Sequence, residues 1–145
     1  MADSDKAVPF NTQVFNRVVS AALADLYQAF PNPITLDEKA YGARATDGAP
    51  DEKQFGAIAV TAGNSIEYLI REGFVHRGRS YGGYDSPGFP EMVLTMRGQQ
   101  LLNSIPDAVE ESADHRPVGA RLADAVEGGK WGIAAQLLRE LSKLA

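Results

Sequence analysis

The first strong pattern in the chain is a run of apolar residues with helical spacing between residues 14 and 30. Asn11 is the predicted N-cap, and Phe10 and Phe15 flank it as a hydrophobic staple. The breakers at 31–33 end the segment. The pattern predicts a long amphipathic first helix whose stripe packs in a core. The stripe comprises Val14, Phe15, Val18, Val19, Ala22, Leu23, Leu26, Tyr27 and Phe30.

A short second helix is predicted over residues 36–41, because Thr35 and Glu38 have the spacing of a capping box. The polar, breaker-rich sequence GARATDGAPDEK follows it, and we interpret this segment as a loop. A second helix placed within residues 52–60 is the alternative.

The third predicted helix again follows from apolar spacing, and it ends at Gly73, where a left-handed cap is expected. Gly56 and Gly63 each cost roughly 1 kcal/mol relative to alanine inside a helix. A break at residues 61–64 is therefore an alternative to one continuous helix. The apolar stripe consists of Phe55, Ile58, Ala59, Ala62, Ile66, Leu69 and Ile70.

A β-hairpin and a closing helix are predicted next. Strands begin at Phe74 and at Met92, and the glycines and prolines between them predict a long hairpin loop. Thr95 is the predicted N-cap of a short helix that ends at Pro106. Three residues of this helix are expected to face inward, namely Leu101, Leu102 and Ile105.

The remainder of the chain separates into an acidic linker at 107–117 and two C-terminal helices at 118–145, divided by glycines 128 and 129. Residues 1–10 are predicted to be flexible, and 11–106 to form the main domain. The last helix carries an apolar stripe, which is either an interface with a second copy or a protein partner, or a surface folded back on the first helix. That stripe comprises Ile133, Leu137, Leu138, Leu141 and Leu144.

Composition narrows the class of protein. A chain of 145 residues is long enough for one domain with a sizeable core. The absence of cysteine excludes disulfides and thiolate zinc sites, and fits a reducing compartment. There is neither an apolar run of about 20 residues nor a signal-peptide core, so a cytoplasmic protein without membrane contact is expected. The net charge of -5 argues against a nucleic-acid coat protein, although sequence-specific regulators are often basic on one face only.

The segments EGFV at 72–75 and LTMRGQQLL at 94–102 resemble the EGLI and LTxxGxxLL pieces common in MarR-like and PadR-like winged helices. This resemblance, over residues 55–106, implies an α+β, mostly α fold: a winged-helix domain with a two-stranded β-hairpin wing and a C-terminal helical extension. The third helix would then be the recognition helix. The long loop before it departs from the tight turn usual in such proteins, which affects how that helix is presented.

Candidate catalytic chemistry is sparse. His76 and His115 lie in different segments without a second ligand at a suitable spacing, so neither a metal nor another cofactor is predicted. No serine lies in a GxSxG motif, and no glycine cluster fits a phosphate-binding fingerprint. We therefore expect no enzymatic activity.

Nucleic-acid binding has more support. Asn64 would address an adenine, and Arg71 a guanine or a phosphate, whereas Glu67 would repel the backbone unless it accepts from a cytosine. The hairpin tip is basic and aromatic, which suits phosphates or the minor groove. Arg44, Lys53 and Arg97 would add backbone contacts. The predicted DNA-binding residues are Thr61, Asn64, Tyr68, Arg71, His76, Arg77, Arg79, Tyr81, Tyr84 and Arg97.

Two functions remain open from the sequence. The first is a dimeric winged-helix protein that binds double-stranded DNA as a small transcriptional or mobile-element regulator. The second is a winged-helix adaptor that docks another protein and does not bind DNA. The acidic third helix and the loop before it favour the adaptor, whereas the basic hairpin favours DNA, which is the interpretation we prefer.

Overall fold

The computed structural model describes residues 8–46, 52–78, 88–105 and 115–144, with the side chains of 52 and 53 left aside. Helices dominate, and the strands form one small antiparallel sheet, so the mostly α, α+β class is confirmed. The elements are α1 (Phe10–Ala29), β1 (Ile34–Leu36), α2 (Glu38–Arg44), α3 (Glu52–Arg71), β2 (Val75–Arg77), β3 (Phe89–Leu94), α4 (Met96–Leu102), α5 (Val118–Glu127) and α6 (Trp131–Leu144).

The central element is α1, which contacts α2, α3, α5 and α6. Up to Leu26 its predicted stripe is buried, except that Phe15 is only partly buried. Small residues such as Ala21 and Ala24 are buried on its other sides. These short side chains let several helices pack closely against α1. Gly119 serves the same purpose on α5, because a Cβ there would lie 2.6 Å from the Tyr27 ring.

α1 begins at Phe10 after Pro9 without a side-chain cap, so the predicted N-cap Asn11 is wrong.

The sheet has the strand order β1-β3-β2. Its predicted hairpin is confirmed, with Val75 opposite Leu94. The predicted start of the second strand at Met92 is wrong, because β3 begins at Phe89. The prediction missed β1, in which Ile34 lies opposite Met92. The capping box assigned to Thr35 is wrong, because the Asp37 side chain caps α2 by accepting from the Lys39 amide at 3.0 Å.

The connection before α3 is shorter than predicted, because α2 extends to Arg44 and α3 begins at Glu52. Between them lie residues 45–51, of which 47–51 are outside the described part of the chain. α2 and α3 pack closely at Gly42, where a Cβ would lie 3.0 Å from Ile58 Cγ2.

α3 runs unbroken past both of its glycines, so the alternative of a break at 61–64 is wrong. Its predicted stripe is buried at Ile58, Ala62, Ile66 and Leu69, whereas Phe55 in the first turn is 40% exposed. The helix ends as predicted, with Gly73 at φ 81°.

Thr95 joins the end of α3 to the start of α4. Its hydroxyl accepts from the Gly98 amide at 3.0 Å, which confirms the predicted N-cap, and it donates to the Gly73 carbonyl at 2.6 Å. Leu102 is buried as predicted, but Ile105 lies beyond the last turn and is 55% exposed, so its predicted inward position is wrong.

The C-terminal helices pack on α1 of the same chain. Val118 and Leu122 of α5 are fully buried in the same apolar cluster as α1. Arg17 of α1, itself buried, donates to the Ala45 carbonyl at 3.2 Å and lies 5.4 Å from the centre of the Trp131 ring. The start of α6 is thereby held near the end of α2.

A buried tyrosine gives the fold a dependence on alkaline pH. The Tyr41 hydroxyl donates to Asp25 Oδ2 at 2.6 Å, and Arg44 donates to the same oxygen at 2.8 Å. Burial, and then the hydrogen bond and charge of Asp25, raise the pKa of Tyr41 above its ordinary value of 10.0. Because the folded pKa is the higher one, neutral Tyr41 contributes its full stabilisation below pH 10, and this is lost as the pH rises further.

We expect the free energy of unfolding to fall above pH 10 by up to about 1.4 kcal/mol per pH unit from Tyr41 alone. Urea titrations between pH 8 and about 11 would measure this slope. The Tyr41→Phe variant, which lacks the ionisable hydroxyl, should show a shallower decline. An identical decline in both proteins would contradict the assignment to Tyr41.

Candidate nucleic-acid interface

One face of α3 is open to solvent and carries polar side chains. Asn64, Glu67 and Arg71 are three and four residues apart, so they share a side of the helix. Asn64 and Arg71 are exposed, and Val60, one turn earlier, is 64% exposed. The opposite side of the helix holds the buried residues of the core. The face is therefore available for contact along at least three turns of α3.

The hairpin is fastened beside this face by an ion pair between Arg77 of β2 and Glu67 of α3. The Arg77 guanidinium also lies 5.5 Å from the centre of the Phe89 ring on β3. His76 is exposed on the same short strand. The ion pair brings the base of the hairpin to the side of α3 that displays Asn64 and Arg71.

Charge on this face is partly compensated. Glu67 and Arg77 neutralise each other while both side chains stay nearly half exposed, at 45% and 43%. Among the described residues, no ion pair involves Arg71. Arg71 thus contributes an uncompensated positive charge at the end of α3.

Two predicted contact residues lie at the edge of the face, next to α1. The Thr61 hydroxyl donates to the Ala57 carbonyl at 3.1 Å. The Tyr68 ring meets Phe15 edge to face, with the ring centres 5.4 Å apart. Both line a shallow depression with Asn64 and the first turns of α1. The depression therefore borders the surface formed by Val60, Asn64 and Arg71.

Other predicted cations have partners within the chain. Arg97 donates to the Glu72 carbonyl at 2.7 Å and stacks 4.8 Å from the centre of the Phe74 ring. Arg44 pairs with Asp25 at 2.8 Å. Arg97 therefore fastens α4 to the end of α3, and Arg44 fastens α2 to α1. The side chain of Lys53, and Arg79, Tyr81 and Tyr84, lie outside the described residues.

The predicted C-terminal interface is divided by the fold. Leu137 and Leu141 lie in the chain's own core, and Leu138 is partly buried against it. Ile133 and Leu144 remain 46% and 50% exposed. α6 packs against α1 through the middle of its apolar stripe. Only the two ends of the stripe are therefore available to a second chain.

Two features of the site were missed from the sequence. Val60 belongs to the exposed face, and its position four residues before Asn64 is the signal that places it there. Glu67 pairs with Arg77 because the hairpin folds back beside α3. The sequence shows that the two residues have opposite charges, but it contains no signal that they meet.

The described residues include no group of three or more His, Asp or Glu side chains that could hold a metal ion. None of the described helices is long and apolar enough to cross a membrane. Comparison with protein-family models, curated proteins and solved structures finds no match to this chain.

Proposed function

We propose that this chain is a winged-helix protein that binds double-stranded DNA, as a small transcriptional or mobile-element regulator. In this proposal α3 enters the major groove, α2 packs behind it, and the hairpin reaches the phosphate backbone. The order of two adjacent helices followed at once by a hairpin supports the winged-helix interpretation.

The observation that carries the proposal is the ion pair between Glu67 and Arg77. It fastens the hairpin beside the exposed side of α3, so a duplex would meet helix and hairpin together. It also supplies Glu67 with a cation, which reduces the repulsion between this carboxylate and the phosphates. The acidic residue that argued against DNA in the sequence is thus compensated.

The side chains on the exposed face suit base recognition. The Asn64 carboxamide has the donor and acceptor needed for N6 and N7 of adenine. Val60, one turn nearer the helix N-terminus, offers an apolar contact for a thymine methyl group. Arg71 would bind a guanine edge or a phosphate. The combination favours a site containing A·T pairs beside a G·C pair or a phosphate contact.

The proposal predicts different effects for two substitutions. Arg71→Gln should weaken binding to all duplexes and, if Arg71 binds a phosphate, lower the slope of log K against log salt by about one. Asn64→Ala should cost about 1–3 kcal/mol at a selected site and leave the slope unchanged. Fluorescence anisotropy with labelled duplexes, including sites selected from a random library, measures both.

Lys143→Gln is the matched control for Arg71→Gln, because it also removes one positive charge from an exposed position, on α6. It should leave affinity and slope nearly unchanged. Equal losses in the two charge variants would indicate only a general electrostatic effect and would remove α3 from the interface.

A protein-binding adaptor is the second candidate. The observation that favours it is the apolar exposure on α3, where Phe55 is 40% and Val60 64% exposed. Exposed apolar residues on a helix suit the core of a protein interface. Val60→Glu would then abolish partner binding, and wild-type protein would not bind duplex DNA at low salt.

Homodimerisation stays a proposal that rests on the exposed ends of the α6 stripe, Ile133 and Leu144. Sedimentation equilibrium of the wild type and of an Ile133→Gln, Leu144→Gln variant would test it.

A further inference from the structure

A groove that adjoins the α3 face at Tyr68 has the size and lining of a ligand site. It lies between α1, the end of α3, α4 and α6, and its volume is about 450 Å³. Binding pockets for small organic molecules commonly measure about 300–1,000 Å³. Its apolar walls include Val19 of α1, Leu69 of α3, Leu102 of α4 and Leu138 of α6.

The polar lining of the groove is richer in positive than in negative charge. Arg97 and Arg139 both line it, against a single acid, Glu72. Arg97 gives one N–H to the Glu72 carbonyl, and its stacking on Phe74 fixes the plane of its guanidinium. Arg139 makes no ion pair within the described part of the chain. The two guanidinium groups thus have N–H donors left for a negatively charged ligand.

The walls on the α3 and α4 side are formed by closely packed backbone. Gly98, which lines the groove, is so close to the turn between α3 and β2 that a Cβ there would lie 2.3 Å from the Phe74 carbonyl oxygen. The Thr95 hydroxyl holds the ends of α3 and α4 together. This side of the groove is therefore preformed, which lowers the entropic cost of binding.

We propose that the groove binds a small organic carboxylate with an apolar body. The apolar part would lie among the leucine side chains of α4 and α6, and the carboxylate would accept hydrogen bonds from Arg97 and Arg139. Removal of apolar surface from water would supply most of the affinity, and the arginines would select for the anion. This proposal does not depend on DNA binding.

Octanoate below its micellar concentration is a suitable probe, with octanol and octylamine as the neutral and cationic analogues of the same chain length. Isothermal titration calorimetry should show saturable, one-to-one binding of octanoate, at least about fivefold tighter than that of either analogue. Amide chemical shifts recorded with ¹⁵N-labelled protein should move around Leu69, Leu102 and Leu138, and not on the exposed face of α3 around Asn64.

Variants of α6 separate the apolar and charged parts of the site. Leu138→Trp should fill the groove and weaken octanoate binding at least about tenfold. Arg139→Gln should weaken octanoate binding about fivefold without affecting octanol, and the control Lys143→Gln, whose side chain does not line the groove, should change neither. Circular dichroism would confirm that each variant is folded.

Absence of saturable octanoate binding to the folded wild type would overturn the proposal. Unchanged binding in folded Leu138→Trp would show that octanoate binds elsewhere, and would overturn the location. Equal binding of octanoate and octanol, together with no effect of Arg139→Gln, would overturn the carboxylate specificity.

Discussion

Replacing Leu137 with Asp is expected to unfold the protein. Leu137 is 3% exposed and belongs to the core that α6 shares with α1. Truncating a buried leucine to alanine already costs about 2–5 kcal/mol. A buried aspartate adds the cost of desolvating or protonating a carboxylate. The sum approaches the total stability of a small domain, which is roughly 5–15 kcal/mol.

Ile133→Asp is the matched control, because the same charge is introduced one turn earlier on the same helix at a side chain that is 46% exposed. Circular dichroism and urea titration should show a folded Ile133→Asp protein with a loss below about 1 kcal/mol. A stably folded, monomeric Leu137→Asp protein would contradict the packing of α6 against its own chain.

Gly98→Ala is the second substitution with a large expected effect. The added Cβ would lie 2.3 Å from the Phe74 carbonyl oxygen. This carbonyl cannot move freely, because it accepts from the Thr95 amide at 3.0 Å. Relief of the clash would displace α4 or the start of β2. We expect a loss of about 2–3 kcal/mol, as for overpacked core positions.

Gly56→Ala provides a control of opposite sign. Gly56 lies within α3, and a Cβ there would meet nothing within 4 Å. Because glycine inside a helix costs roughly 1 kcal/mol relative to alanine, this variant should be stabilised by up to about that amount. The midpoint temperature of thermal unfolding should be higher than that of the wild type for Gly56→Ala and lower for Gly98→Ala. A neutral Gly98→Ala substitution would contradict the close contact between α4 and Phe74.

The long helices were predictable because their apolar period extends over many residues. The stripes of α1 and α3 placed Val18 and Ile66 in the core as the structure has them. The strand β1 was not predictable by the same means. It is three residues long, and it is stabilised by pairing with β3, far along the chain, as between Ile34 and Met92.

The candidate site, too, was predictable only in part. The helical period was enough to put Asn64 and Arg71 on the exposed side of α3. It did not show which arginines have partners inside the molecule. Arg97 lies beside Glu72 only because α4 packs against the end of α3. Arg77 meets Glu67 only because the hairpin returns beside the helix. Such pairings depend on tertiary contacts, which a local sequence pattern does not contain.

The most direct test of DNA binding is fluorescence anisotropy of the wild-type protein with a labelled random duplex at about 50 and 200 mM salt. We expect binding at the lower salt concentration and a loss of affinity of a decade or more at the higher one, because neutralised phosphates release counterions. No binding at the lower concentration would contradict the proposed DNA-binding function and would favour a protein partner for the exposed face of α3.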